Sequence, residues 1–168
     1  HTILRYRHHG NGLEFILISN ESSAGFMADV CWRLTGTVAG CFGTFGPGAC
    51  NLTTGVCGGY LDRSPLLAFS AEMSDKMRHK VSQMNIDHQT LFTPITKWTT
   101  RLATGKVKKT LYKAFNTAVS EIPGPVHIGL PSGIGTDASF EESTVFQMPD
   151  TILPADTGML DKMETAFA

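Results

Sequence analysis

Short uninterrupted apolar runs alternate with apolar residues at helical spacing along most of this 168-residue chain. Continuous runs of this length are typical of parallel strands that are covered on both faces. We therefore predict five strands, at residues 13–19, 38–42, 65–70, 94–99 and 126–130.

Apolar residues three or four positions apart predict three helices between these strands. In chain order, their apolar positions are Met27, Val30, Cys31 and Leu34; then Ala49, Leu52, Val56 and Tyr60; then Val107, Leu111, Ala114, Phe115 and Ala118. Gly36 ends the first helix, and the sequence Pro123-Gly-Pro125 closes the third. Residues 72–87 are more polar, and we predict a loop with one short helix there.

Strands that alternate with helices predict the α/β class, with a doubly wound, mostly parallel sheet and helices on both faces. In such a sheet, right-handed crossovers place the loops that follow the strands at one carboxyl edge, where ligands bind. Glu21 follows the first predicted strand, and the glycine-rich segment 43–51 follows the second. We therefore expect both to belong to one site, with Glu21 held between a buried strand and the first turn of a helix.

The pattern changes after Pro131. Residues 132–155 contain scattered glycines and prolines with few periodic apolar positions, which predicts a linker. Residues 156–168 resume helical spacing, and we expect there the start of a following domain that is cut off. Residues 1–131 are then the main domain.

Charge and hydropathy exclude two classes of partner. A formal net charge of -1 argues against nucleic acid, and no apolar run approaches the roughly 20 residues that cross a bilayer. The basic cluster falls at helix spacing, so we expect it to be a solvated helix face. Its members are Lys106, Lys108, Lys109 and Lys113.

The four cysteines form no Cys-x-x-Cys pair and have apolar or small neighbours. This pattern predicts buried, reduced thiols in a cytoplasmic protein rather than a metal site or disulfides. They are Cys31, Cys41, Cys50 and Cys57.

The segment Gly43-Thr-Phe-Gly-Pro-Gly-Ala-Cys-Asn51 allows three interpretations. A glycine-rich loop after a strand can bind phosphate through backbone N–H groups. This one lacks the Lys-Ser/Thr of a nucleotide loop and the spaced glycines of a dinucleotide fingerprint, and Pro47 removes a donor. A purely structural tight turn is the second interpretation. We favour the third, a wall at which a flat ligand ring approaches the backbone.

Five motifs in order resemble those of thiamine diphosphate enzymes, with acetolactate synthase and pyruvate oxidase as the most similar group. The motifs are Asn20-Glu-Ser-Ser-Ala-Gly-Phe-Met-Ala-Asp-Val-Cys-Trp-Arg-Leu-Thr-Gly36, the glycine-rich segment, Tyr60-Leu-Asp-Arg-Ser-Pro65, Pro94-Ile-Thr-Lys-Trp98 and Gly124-Pro-Val-His-Ile-Gly-Leu-Pro131. The resemblance implies that residues 1–131 are the pyrimidine-binding domain, incomplete at its N-terminal end.

The resemblance also implies roles for individual residues. Glu21 would be catalytic, donating a proton or a strong hydrogen bond to a nitrogen of the cofactor's aminopyrimidine ring. Thr44, Pro47 and Asn51 would border that ring. Glu72 would also contact the cofactor, although related sequences commonly have Gln at its position, and a carboxylate there favours different donors.

No metal ligand is assigned to this chain. The family's Gly-Asp-Gly motif and downstream Asn, which hold Mg²⁺ and the diphosphate, do not occur between His1 and Ala168. We therefore expect half of an active site, completed by a second subunit in a homodimer or tetramer. The implied substrate is a small 2-keto acid, and FAD is possible in the full enzyme.

Two other functions stay open. The chain could be the short subunit of a two-chain keto-acid decarboxylase, or a non-catalytic binding module in which Glu21 only favours a helix N-terminus. Three residues of the polar segment, His79, Gln83 and His88, are expected to face solvent.

Overall fold

The computed structural model of the protein describes residues 15–120 and 122–134. Four strands and five α-helices alternate along this part of the chain. In order they are α1 (Glu21–Thr35), β1 (Ala39–Gly43), α2 (Pro47–Leu61), β2 (Leu66–Glu72), α3 (Asp75–Arg78), α4 (His88–Phe92), a 3₁₀ turn (Thr93–Ile95), β3 (Trp98–Arg101), α5 (Val107–Val119) and β4 (Val126–Pro131). No described helix is long and apolar enough to cross a membrane.

The four strands form one sheet in the order β1-β2-β4-β3, and every neighbouring pair is parallel. Helices pack on both faces, so the prediction of a doubly wound parallel sheet is confirmed. The predicted helices are found in place, and strands β1, β2 and β4 lie within two residues of the predicted bounds. The strand predicted at residues 94–99 begins only at Trp98, because Thr93–Ile95 forms the 3₁₀ turn, and helix α4 was not predicted.

The predicted strand at residues 13–19 is wrong for the residues that the structure describes. Residues 15–19 have no strand pairing, and Ile16 and Leu17 are 59% and 83% exposed. An apolar run becomes a buried parallel strand only when it is hydrogen-bonded to a neighbour and covered by helices. In the described part of the chain, the sheet ends at β1, and this segment lies outside it. Residues 13 and 14 lie outside the described residues, as do residues 135–168, which include most of the predicted linker and the predicted C-terminal helix.

Each face of the sheet has its own apolar core, because side chains alternate between the faces along a strand. Helices α1, α2 and α4 cover the first face; its core residues are Ala28, Cys41, Ala49, Leu52, Val56, Leu66, Ala68 and Phe92. Helix α5 covers the second face; its core residues are Leu102, Ala114, Ala118, Val126 and Ile128. The basic cluster on α5 is exposed to solvent, as expected.

Helices α1 and α2 approach each other at two glycines. A Cβ atom on Gly25 would lie 2.7 Å from the Gly55 backbone, and a Cβ on Gly55 would lie 2.7 Å from Gly25 Cα and would also clash with the Ser22 carbonyl oxygen. Both side-chain positions are therefore filled by the partner helix. The contact brings the first turn of α1 beside the first turn of α2.

This close contact turns the larger apolar side chains of α1 outward. The helix buries Gly25, Ala28 and Asp29, whereas the residues of the predicted apolar stripe are mostly exposed. We call the exposed set the α1 stripe: Phe26, Met27, Val30 and Leu34. The buried carboxylate of Asp29 has polar partners, since it accepts a hydrogen bond from Ser64 Oγ at 2.6 Å and lies 3.3 Å from Arg33 Nε.

The cysteine prediction is partly wrong. All four thiols are free, but only Cys41 is buried; Cys50 is exposed, and Cys31 and Cys57 are half-buried. Cys50 lies on the outer side of α2, where small neighbours do not imply burial. Burial raises the pKa of the Cys41 thiol to about 12, so this thiol stays protonated.

The glycine contact predicts opposite effects for two alanine substitutions in α2. Gly55→Ala should lower the free energy of unfolding by roughly 1–3 kcal/mol, because the added methyl group meets backbone atoms that cannot move aside. Gly58→Ala is the matched control. Its added methyl group meets only the Phe26 ring, which is exposed and can rotate, so the helix propensity of alanine should raise stability by about 0.5–1 kcal/mol. Urea unfolding of the full chain measures both, and equal effects would contradict the packing argument.

Candidate active site

Glu21 is the first residue of α1, and its carboxylate points at the start of α2. Glu21 Oε2 accepts a hydrogen bond of 3.3 Å from Asn51 Nδ2, and Oε1 would lie 3.1 Å from a Cβ on Gly48. Ser22 Oγ donates to the Asn51 carbonyl at 2.6 Å, which ties the two helices together at the same place. Glu21 is thus held by two helices, and not by the strand predicted before it.

The glycine-rich segment is the turn from β1 into α2. Its Gly46 has φ +52°, and a Cβ there would lie 2.9 Å from the carbonyl oxygen of Met84, so only glycine fits without strain. Thr44, Pro47 and Asn51 are exposed beside this turn. The structure therefore brings Glu21, Thr44 and Asn51 together around Gly48, on an open surface at the carboxyl edge of the sheet.

Glu72 lies apart from this group. It is only 6% exposed, and both carboxylate oxygens are occupied: Gln89 Nε2 donates to Oε1 at 2.6 Å, and Arg101 Nε lies 2.5 Å from Oε2. Arg101 also binds Asp75 and the Met73 carbonyl oxygen. Among the described residues, no hydrogen bond or ion pair joins Glu72 to Glu21, Thr44, Pro47 or Asn51. Its charge is neutralised within the protein.

A buried polar network continues from Glu72 along the first face of the sheet. Ser70 Oγ lies 2.7 Å from His88 Nδ1 and 2.8 Å from His127 Nε2. Thr99 Oγ1 lies 2.7 Å from His127 Nδ1 and donates to Gln89 Oε1 at 2.7 Å. The His127 ring also stacks on Phe92, with 4.0 Å between ring centroids.

The expectation that His88 faces solvent is wrong, since it is 3% exposed. The unpredicted helix α4 turns it inward onto Ser70 of β2. His79 and Gln83 are exposed, as expected.

Burial and charge keep both network histidines neutral. Burial, followed by the nearby His88, lowers the pKa of His127 from its ordinary 6.5 to about 3. Burial also lowers the pKa of His88, and this effect outweighs the opposing charges of Glu72 and Asp87. Both side chains therefore act as neutral hydrogen-bonding groups near pH 7.

The side chains of Glu72, His88 and His127 offer ligand atoms within 4.8 Å of one another. Two His and one Glu match a zinc ligand set. The ring nitrogens that face inward are instead hydrogen-bonded to Ser70, and Glu72 is paired with the Arg101 cation. The arrangement is a hydrogen-bond network, and we assign no metal to it.

Sequence reasoning missed this network, although a signal is present. Ser70 and Glu72 sit at alternating positions of β2, and His127 interrupts the apolar run of β4. Side chains two apart on a strand share a face, so polar residues recurring at that spacing in buried strands indicate a polar layer.

Comparison with known proteins identifies the family of the chain. The model of the thiamine pyrophosphate enzyme family, N-terminal TPP binding domain, matches residues 2–91, which is more than half of the chain. The protein belongs to this family of thiamine diphosphate enzymes, and the matched region is its N-terminal cofactor-binding domain. The resemblance seen in the sequence is confirmed.

Individual relatives are similar over about three quarters of this chain. The probable acetolactate synthase large subunit of Methanococcus aeolicus is 36% identical over 127 residues, covering 75% of this chain and 21% of that protein. The 2-hydroxyacyl-CoA lyase 2 of Xenopus laevis is 36% identical over 120 residues, covering 71% and 18%. The probable 2-ketoarginine decarboxylase of Pseudomonas aeruginosa is 32% identical over 141 residues, covering 78% and 24%. The chain thus spans about a fifth of the length of these curated relatives.

The buried neutral His127 predicts acid sensitivity. The unfolded chain takes up a proton on this side chain below pH 6.5, whereas the folded chain does so only near pH 3. Stability should therefore fall as the pH drops from 6.5 towards 3, by up to roughly 1.4 kcal/mol per pH unit from this group. Urea unfolding at several pH values measures the slope. His127→Gln should flatten it, His79→Gln serves as an exposed control, and an unchanged slope in His127→Gln would refute the assignment.

Proposed function

We propose that this domain forms the pyrimidine side of a thiamine diphosphate site in which Glu21 is the catalytic acid. The observation that carries the proposal is the position of the Glu21 carboxylate, held against Gly48 and bonded to Asn51 at the start of α2. Family membership supports thiamine diphosphate as the cofactor, and the position of Glu21 supports its role as the acid that acts on it.

The residues around Glu21 suit a flat heterocycle. A Cβ on Gly48 would lie 2.6 Å from Thr44 Cγ2 and 3.1 Å from Glu21 Oε1, so both side chains lie directly against the bare backbone at Gly48. Asn51 can donate from its amide to Oε2 and orient the carboxylate. Glu21 would then transfer or share a proton with a ring nitrogen, while the exposed Thr44 and Pro47 line the approach.

Thiamine diphosphate, when bound, supplies a carbon nucleophile that adds to a keto group and stabilises the negative charge left by decarboxylation. This chain contributes orientation and proton transfer to that chemistry. Its neutral turn at residues 43–48 offers no charged side chain to a diphosphate.

The diphosphate and Mg²⁺ belong to a different polypeptide segment in our proposal. Mg²⁺ prefers carboxylate, carbonyl and water oxygens. The one cluster of possible ligands in the described residues contains two histidines and an Arg101-paired glutamate, which does not fit that preference. No flavin contact is assigned to the described residues.

The α1 stripe supports the presence of a partner. Contiguous exposed apolar side chains on a helix mark protein–protein contacts. This helix begins with Glu21, so a subunit or domain that covers the stripe is placed beside the catalytic carboxylate. We propose that this partner carries the diphosphate half, in a homodimer, in a tetramer or as a separate chain.

For the whole protein we propose an acetolactate synthase-like enzyme that acts on small 2-keto acids by decarboxylation and carboligation. The named relatives support this class, since an acetolactate synthase and a 2-ketoarginine decarboxylase are both among them. Four free thiols support a cytoplasmic location.

The catalytic role of Glu21 predicts a specific loss in the complete assembly. Glu21→Gln should slow exchange of the thiazolium proton of bound thiamine diphosphate with deuterated solvent by about a hundred- to ten-thousand-fold, because an amide cannot donate the proton. Quenched-flow exchange followed by NMR measures the rate. Asp62→Asn, the same change at the far end of α2, is the control. Exchange at the original rate in Glu21→Gln would remove Glu21 from the mechanism.

The half-site proposal predicts weak cofactor binding by this polypeptide alone. Calorimetric titration with thiamine diphosphate should give no Mg²⁺-dependent binding, because residues 15–120 and 122–134 offer no fitting ligands to the ion or the diphosphate. Adding the partner that holds them should restore it. Tight Mg²⁺-dependent binding to the isolated chain would contradict the proposal.

A further inference from the structure

In the polar network between β2, β3, β4 and α4, the chemistry of Glu72 determines which atom donates in each successive hydrogen bond. Glu72, paired with Arg101, is a carboxylate and only accepts hydrogen bonds. Gln89 must therefore turn its Nε2 amide to Glu72 Oε1, at 2.6 Å. This fixes Gln89 Oε1 towards Thr99, where it can only accept.

Thr99 in turn determines which nitrogen of His127 carries the proton. Thr99 has one hydroxyl proton and donates it to Gln89 Oε1 at 2.7 Å. Thr99 Oγ1 must then accept the 2.7 Å hydrogen bond from His127, so Nδ1 of that ring carries a proton. A neutral imidazole has one N–H, which leaves His127 Nε2 as an acceptor.

Ser70 determines which nitrogen of His88 carries the proton. Its hydroxyl donates to His127 Nε2 at 2.8 Å, so its oxygen accepts from His88 Nδ1 at 2.7 Å. In a neutral ring, His88 Nε2 then carries no proton. Among the described residues, no hydrogen bond is made to that nitrogen.

The network adjoins the edge where Glu21 lies. Ser70 is paired with Gly43, the last residue of β1 before the glycine-rich turn. Met84, four residues before His88, touches that turn at Gly46. The free nitrogen of His88 thus belongs to the segment that packs on the proposed cofactor-binding turn.

We propose that Glu72 is a positioning residue that fixes the tautomer of His88 through Gln89, Thr99, His127 and Ser70, so that Nε2 of His88 is unprotonated and can act as a hydrogen-bond or proton acceptor. The tautomer assignment is independent of the proposed function.

Charged groups around His88 have opposing effects on the pKa of its side chain. Glu72 and Asp87 favour its protonated form, whereas Arg101 and Arg78 oppose it, and burial opposes it most. Gly129 contributes space to the arrangement, because Glu72 Oε1 fills the position that a Cβ on that residue would take.

Long-range ¹H–¹⁵N correlation of the full chain with ¹⁵N-labelled histidine tests the proposal without cofactor or substrate. At pH 7 both His88 and His127 should be neutral, with the proton on Nδ1; His88→Gln and His127→Gln assign the signals. A proton on Nε2 of either ring, or a charged His88, would overturn the proposal. Failure of the Glu21 assignment would leave this result unchanged, so the two are distinguishable.

Variants test the role of Glu72. Glu72→Gln removes the obligatory acceptor, so Gln89 can reverse its amide, and the His88 nitrogen signals should shift towards each other as the second tautomer appears. Asp75→Asn removes the other carboxylate on Arg101 and should leave the tautomers unchanged. Thr99→Val interrupts the network at its middle and should release both rings from Nδ1 protonation, which keeps the test available if Glu72→Gln does not fold. Wild-type tautomers in a folded Glu72→Gln or Thr99→Val would refute the proposal.

Discussion

The contact between Gly25 and Gly55 is the constraint on which the candidate site depends. Two helices approach so closely that neither glycine position has room for a methyl group. This fixes the first turn of α1 beside the first turn of α2, and the hydrogen bonds from Ser22 and Asn51 only become possible at that separation. Tight packing of this kind resists small displacements, so the Glu21 carboxylate is held to within a narrow range of positions.

The two faces of the sheet differ in the polarity of their buried side chains. The core residues on the α5 face are all apolar, whereas the opposite face changes from an apolar core to a buried polar layer at Ser70, Glu72 and His127. Burying such groups is costly unless they are hydrogen-bonded. Here the partners form one connected chain, and connected networks have few alternative arrangements. The polar layer is therefore rigid where it adjoins the glycine-rich turn.

Much of the fold could be predicted from sequence because strand and helix periodicities are strong local signals. The strand before Glu21 failed because pairing is not a local property: residues 15–19 are apolar enough for a strand but have no hydrogen-bonded neighbour in the described sheet. The helical spacing on α1 was correct, yet the buried side of the helix is the one that carries Gly25, Ala28 and Asp29. For the site, the family resemblance singled out Glu21, Thr44 and Asn51, and the structure brings these three residues together around Gly48. The inward turn of His88 could not, since it depends on the five-residue helix α4, whose short pattern gives no periodic signal.

The position of the α1 stripe links assembly to the chemistry of the site. One rigid helix carries Glu21 at its first turn and exposed apolar side chains along its outer surface. In the proposed assembly, a partner that covers those side chains would complete the site beside Glu21, and the occupancy of such a shared surface follows mass action. Dilution would then separate the two halves of the site, so the fraction of complete sites would vary with protein concentration.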